Sequence, residues 1–342
     1  MIGTARLCRQ QGIKAKFACT KETDDELAEL NIEILKNNQI SGHITKSCVI
    51  GTTAWGFSRD DMVDKFDYLF IDEAGQVSVA NLIAISRATN NLVLMGDQMQ
   101  FGLPTQGTHP TESGLSILDY LLHDKPTIPD DMGVFLATTY RMHSAVNEFI
   151  SHAIYEGKLE SDLKNNKQII SVPEGYNGDV TKTSGITFMP IEHDGNTQAS
   201  DEEVQVIVDY ARELLGRNFT DKNGSQRPIS CDDILFVAPY NHQVNKLQEA
   251  LGPQAKVGSV DKFQGQEAPI VFLSMCASEG DSSPRGMDFL FSKNRLNVAI
   301  SRAQSMGIVV ASDKLSYTRT NNIGNMELIN SYCQLVRYRT KG

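Results

Sequence analysis

The sequence predicts an α/β protein of two domains with mainly parallel sheets, and three observations carry that expectation. Short, near-continuous apolar runs recur along the chain with polar or helical stretches between them, as parallel strands covered on both faces require. At 342 residues the chain exceeds one ordinary core and suits two domains of typical size. Its 40% hydrophobic and 22% charged residues, with 26 Gly and 11 Pro, describe a globular chain and exclude a disordered or collagen-like one.

Strands are expected at residues 48–50, 68–71, 92–95, 134–137, 186–189, 234–238, 270–275 and 308–311. Residues 201–215 read as a helix, because Val204, Ile207, Val208, Ala211, Leu214 and Leu215 fall on one stripe. Ser200 is a good N-cap, and Asp201, Glu202 and Glu203 suit the positive end of the helix dipole. Residues 158–184 and 218–231, rich in Asn, Lys, Gly and Ser, read as surface loops. A new strand and a new set of motifs begin near Gly133, after the loop 102–112, which places the domains at 1–132 and 133–342.

No stretch approaches the roughly 20 apolar residues of a membrane-spanning helix, and the N-terminus lacks a charged-then-apolar signal pattern. The expectation is a cytoplasmic protein with no membrane partner. Cys8, Cys19, Cys48, Cys231, Cys276 and Cys333 are scattered without a Cys-x-x-Cys pair, which excludes zinc ribbons and a disulfide framework and suggests reduced core residues. The formal net charge of −10 gives no overall attraction for nucleic acid, so such a role requires a local groove.

Five residue groups carry chemistry. The run 68–71 ends in Asp72-Glu73-Ala74-Gly75, and the carboxyl ends of parallel strands are where ligands bind. Asp72 there suits Mg²⁺ and Glu73 an attacking water, although four such residues alone equally describe a solvated turn. One strand later comes Gly96-Asp97-Gln98-Met99-Gln100, where the Gln100 amide suits a γ-phosphate or its attacking water; alone it reads as a surface turn. Thr139-Tyr140-Arg141-Met142-His143 offers Arg141 to the γ-oxygens, or else a salt-bridge partner. Residues 260–267 hold Gly265, which allows close backbone approach to a ligand, and Glu267, an acceptor for a ribose hydroxyl; an ordinary loop has the same composition. Residues 294–303 are helix-like, with Arg295 and Arg302 seven apart and so near one helix face, where they suit phosphate or form a merely basic surface.

The order and spacing of these groups resemble superfamily-one helicases of the Upf-type branch, from about Thr52 onward. Asp-Glu-Ala after a strand, Gly-Asp-x-x-Gln, Tyr-Arg-Met-His, Val-Asp-x-Phe-Gln-Gly-x-Glu and Arg-Leu-Asn-Val-Ala-x-x-Arg-Ala correspond to motifs II to VI of that family. The resemblance implies two RecA-like, P-loop NTPase-type domains, the first incomplete, with ATP and Mg²⁺ as cofactors and single-stranded DNA or RNA as partner. It implies that Asp72 and Glu73 take the magnesium and water-activating roles, Gln100 the phosphate sensor, Arg141 and Arg302 the arginine fingers, and Glu267 the ribose contact. Gly96, Asp97, Gly265 and Arg295 are the accompanying nucleotide-site residues. Thr52 and Thr53 resemble the motif Ic position that touches the nucleic-acid backbone, and Tyr240 a further position of that kind in the second domain. Residues 102–122, with Gln106-Gly107-Thr108-His109-Pro110, are similar to the helicase part of bacterial proteins in which a RecB-like nuclease precedes the motor.

One departure stands out. Gly-x-x-x-x-Gly-Lys-Ser/Thr, the Walker A loop, occurs nowhere in the sequence, and the single Gly-Lys, Gly157-Lys158, precedes Leu159. That loop supplies backbone N–H groups and a Lys to the phosphates, so nucleotide affinity falls without it. The chain is expected to be the C-terminal portion of a longer or split motor, working with a fragment that carries the loop. The competing expectation is a non-catalytic nucleic-acid-binding or assembly module that keeps the motor fold.

Overall fold

Most of the apolar runs form strands, and the main sheet is parallel because its strands are joined by helical crossovers rather than tight hairpins. A computed structural model describes residues 2–18, 29–30, 32–102, 109–123, 125–263, 265–280 and 283–339. Gln106, Gly107 and Thr108 of the nuclease-linked segment, Gln264 of the fourth motif and Cys19 lie outside the described residues. Two compact units are present: unit 1 is Met1–Gln98 with Gly102–Asp124, and unit 2 is Met99–Phe101 with Lys125–Gly342.

Unit 1 contains β1 (Ala15–Phe17), β2 (Glu33–Ile34) and β3 (Val49–Gly51), a parallel sheet in the order β2-β1-β3. A second parallel pair joins β4 (Leu69–Ile71) to β5 (Leu92–Leu94), with Ile71 opposite Leu94. The crossover between them is the helix Val79–Ser86, started by Ser78, whose hydroxyl accepts from the Asn81 N–H. Small apolar clusters hold the unit, one around Phe17 and Cys8 and another around Ile40 and Met62.

Unit 2 begins with β6 (Thr138–Thr139) and its parallel partner β7 (Glu160–Ser161). Next come β8 (Ile169–Ile170), β9 (Gly185–Pro190), β10 (Asn218–Thr220) and β11 (Gln226–Pro228), followed by β12 (Ile234–Val237), β13 (Lys256–Gly258), β14 (Ala268–Ser274) and β15 (Ala303–Ala311). The main sheet is five-stranded and parallel, in the order β13-β12-β14-β15-β9. One face packs on the helix Ser144–Ile154 with Lys293–Ile300 and Ile323–Val336, and the other on Asp201–Leu214 and Asn241–Leu251, so the central strands are apolar on both sides.

The helix expected at 201–215 forms as Asp201–Leu214, with the Ser200 hydroxyl accepting from the Glu203 N–H. Glu203 is not a solvated dipole partner, however. It is fully buried, with its carboxylate against His193 Nε2, the Ser274 hydroxyl and the Cys276 N–H, because the first turn of this helix is pressed onto the end of β14. The expected strand at 134–137 is absent, since Val134 and Leu136 are 82% exposed and pairing starts only at Thr138. The two expected surface loops are partly structured. In the first, Asn165 and Gln168 are buried because their amides donate to the Thr139 and Arg141 carbonyls; the second folds as the β10–β11 hairpin around Asp221, which accepts from the Asn223 and Ser225 N–H groups. Among the described cysteines all are free, but only Cys8 and Cys276 are buried and Cys231 is exposed. No described helix is long and apolar enough to cross a membrane.

Candidate functional site

In unit 1 the acidic tip is set by backbone packing. Asp72 and Glu73 follow β4 and are exposed, while Ala74 and Gly75 are buried beneath them. Glu73 adopts a left-handed conformation, φ 53° and ψ 44°, and its N–H donates to Asp72 Oδ1 at 3.1 Å. Such backbone is unfavourable for a residue with a side chain, and here the neighbours enforce it. Ala74 N–H donates to the Met95 carbonyl, and Met95 N–H to the Ile71 carbonyl, which sews the end of β4 to that of β5. A Cβ on Gly96 would lie 2.8 Å from Ala74 N, so only glycine lets the two strand ends close up. Asp72, Glu73, Gly96 and Asp97 are thereby gathered at one end of the β4–β5 pair. Thr52 and Thr53 follow β3; Thr52 donates to Asn37 Oδ1, and the Thr53 carbonyl accepts from Gly56 N–H at the start of the helix Ala54–Phe57.

In unit 2 side chains make the arrangement. Arg141, just past β6, donates from Nε to Glu267 Oε2 at 2.7 Å and from Nη1 to the Ser301 carbonyl. The other Glu267 oxygen accepts from Gln304 Nε2 at 2.9 Å, and Gln168 donates to the Arg141 carbonyl. Burial pushes the Glu267 carboxyl up, but the Arg141 and Gln304 donors outweigh it and hold the group below its ordinary value. Gly265 has φ +78° with open space where a side chain would stand. Arg302 is buried; its Nη1 donates to the Gln266 carbonyl and its own carbonyl accepts from Ala268 N–H. Arg141, Gly265, Glu267 and Arg302 are thus close along one loop cluster. The Gln100 carbonyl accepts from Asn294 Nδ2, and the Met99 carbonyl from Asn297 Nδ2 at 2.8 Å.

Two expectations need correction. Arg295 and Arg302 do not share a helix face, because the helix Lys293–Ile300 is capped at Ser301 and Arg302 belongs to the turn entering β15. Arg295 is instead paired with Asp261 at 3.3 Å. Tyr240 does not present its ring to solvent: it is 5% exposed, packed in the apolar core, with its hydroxyl bonded to that of Ser283. Gln304, Gln168, Asn294 and Asn297 were missed. Gln304 directly follows the fifth motif group, in which Asn294 and Asn297 stand without an assigned role, whereas Gln168 carries no signal beyond an amide in a loop. A cavity of about 350 Å³ lies elsewhere in unit 2, lined by Asn196, Thr197, Asp201, His242 and Lys246, and includes none of the motif residues.

Residues 115–314 match an AAA domain family, and residues 9–105 match a second family of the same description. The chain belongs to the AAA domain family. It is 28% identical over 333 residues to DNA polymerase alpha-associated DNA helicase A of Saccharomyces cerevisiae, covering 85% of this chain and 46% of the relative. It is 25% identical over 362 residues to DNA-binding protein SMUBP-2 of Rattus norvegicus, covering 97% and 35%. This AAA-domain chain therefore spans less than half the length of the curated relatives it matches. Among solved structures, arterivirus nonstructural protein 10, a helicase in complex with DNA, aligns over 93% of this chain and 53% of that one at 14% identity and TM-score 0.45. The motif-level resemblance to superfamily-one, Upf-type helicases is matched by helicases among the curated relatives.

Proposed function

We propose that the chain is the motor portion of an ATP-dependent helicase, coupling ATP hydrolysis to translocation on single-stranded DNA or RNA. The observation that carries this reading is the tip at the end of β4, where Asp72 and Glu73 stand exposed on a turn that Gly96 allows to close. Motifs Ic, II and III fall in residues 1–132 and IV, V and VI in 133–342, which we take as the two RecA-like domains, in a cytoplasmic protein. Asp72 suits magnesium held by a single carboxylate together with phosphate oxygens, since one of its oxygens is oriented by the Glu73 N–H and the group is open to solvent. Among the described residues no cluster of three or more His, Cys, Asp or Glu would hold a metal by protein ligands alone. When bound, magnesium supplies neutralisation of the phosphate charge.

In this reading Glu73 takes the proton of the attacking water and Gln100 orients that water against the γ-phosphate. Arg141 and Arg302 offset the charge that develops on the γ-oxygens, and Glu267 accepts from the ribose. Gly96, Asp97, Gly265 and Arg295 border the nucleotide, while Thr52 and Thr53 hold the strand through its phosphates, so binding is salt-sensitive. We propose that a segment or fragment carrying Gly-Lys-Ser/Thr supplies the phosphate loop, with a RecB-like nuclease as a further partner.

ATP turnover stimulated by single-stranded nucleic acid tests the reading. The expected result is none from this chain alone and turnover once a loop-bearing fragment is added, with Glu73→Gln binding nucleotide but not hydrolysing it. Arg302→Ala is expected to lower that turnover by ~10³-fold or more. The second reading is a non-catalytic nucleic-acid-binding or assembly module. Strand binding without turnover in every mixture would establish that reading and end the first.

A further inference from the structure

In unit 2 one aromatic ring joins Arg295 of the fifth motif group to Arg285, which lies outside the motifs. The Arg285 guanidinium lies 3.8 Å from the centre of the Phe289 ring, and that of Arg295 lies 4.2 Å from the same ring. Arg295 is compensated by Asp261. Arg285 is exposed and makes no ion pair among the described residues. Among the described residues one ring therefore holds two like charges of which one is offset, and an anion alongside Arg285 relieves the remainder. In a protein of net charge −10 this is a local cationic point against the general field.

The side chain is held in advance of any ligand. Arg285 sits in the turn 283–286, closed by Gly286 N–H donating to the Ser283 carbonyl at 3.0 Å, with Gly286 at φ +81°. Buried Tyr240 supports that turn through its hydroxyl on Ser283 and the helix after it, Met287–Leu290, through its ring 5.3 Å from that of Phe289. The narrow cleft beside the stack is lined by Pro239, Val260, Leu273, Met275 and Leu296, at the carboxyl ends of β12 and β14 where ligands of such sheets bind. A planar guanidinium fixed on a ring offers its outer face to an unstacked base and its N–H edge to a phosphate.

We propose that the Arg285–Phe289–Arg295 stack is a contact site for a single nucleic-acid strand, with Arg285 taking phosphate and base, and that Tyr240 is a positioning residue beneath it. The site rests on the helicase reading above and adds to it a contact through Arg285, which none of the motifs includes.

The test is a fluorescence-anisotropy titration of the whole chain with labelled oligothymidine and oligouridine across a salt series. Arg285→Ala is expected to weaken binding about tenfold and to reduce the log–log salt slope by about 0.7, one phosphate contact on a single strand. Arg285→Lys keeps the charge and so keeps the slope, while losing part of the affinity with the planar stack. Tyr240→Phe is expected to lower affinity less than Arg285→Ala. An Arg285→Ala curve that superimposes on that of the unaltered chain, with an equal slope, overturns the site alone. Failure of the unaltered chain to bind either oligonucleotide overturns the helicase reading and this site together.

Discussion

The sheets of the two units differ in how completely they are covered. In unit 2 all seven residues of β14 and eight of nine in β15 are buried, with helices against both faces. In unit 1 the β4–β5 pair leaves Phe70 61% and Tyr68 60% exposed, and none of the three residues of β5 is buried. Tyr68, just before β4, and Phe70 within it have ring centres 6.4 Å apart. A strand gains most from burial when neighbours and helices enclose it, and two strands alone are marginal. The candidate residues of each unit follow the same division. Those of unit 1 are fixed by main-chain contacts at Ala74, Met95 and Gly96, whereas those of unit 2 depend on the Arg141, Glu267 and Gln304 side chains.

The largest expected effect separates the two sheets directly. Phe272→Ala, in the covered sheet, is expected to cost about 3–5 kcal/mol, while Phe70→Ala stays within about 0.5 kcal/mol. Urea unfolding of both variants measures this, and equal losses would break the contrast. Gly96→Ala comes next, at about 1–3 kcal/mol, because the added methyl forces apart the ends of β4 and β5; a stability equal to that of the unaltered chain would remove the main-chain account of the acidic tip.

Capping should not follow the division, since it is local. Ser200→Ala in unit 2 and Ser78→Ala in unit 1 remove the same hydroxyl-to-N–H contact and are expected to cost about 1 kcal/mol each. A large difference between them would mean that coverage of the sheet reaches the helix ends.

The smallest effect is a pH dependence. The Glu267 carboxyl is held below its ordinary value in the folded chain, so the Arg141 contact contributes fully above the unfolded value of about 4.3 and is lost as pH falls through the lower folded value. Stability curves of the unaltered chain and Arg141→Ala should therefore differ at neutral pH and converge in acid below about pH 4. Parallel curves would assign the pair no role in stability.

Much of unit 2 could be read from residue order alone. Apolar runs such as 270–275 mark buried parallel strands because a strand covered by helices on both faces buries the side chains of both, and Ser200 with its acidic followers marks a helix start because capping involves residues three apart. The same local logic failed at 134–137, where apolar composition without a pairing partner leaves Val134 and Leu136 in solvent. The five groups with their order were evident too, since each follows a strand or begins a helix.

Tertiary structure alone decided what each polar side chain meets. Sequence placed Glu203 at a helix start, yet packing buried it against His193; it placed Arg302 on a helix with Arg295, yet a cap at Ser301 intervened. It offered Tyr240 to a ligand, yet the core took the ring and left Arg285 at the surface. Periodicity fixes which side of its own element a residue occupies, because that depends on the nearest few peptide units. Hydrogen-bond partners and exposure depend on segments more than a hundred residues away, as Arg141 and Glu267 do, and only the folded chain brings those together.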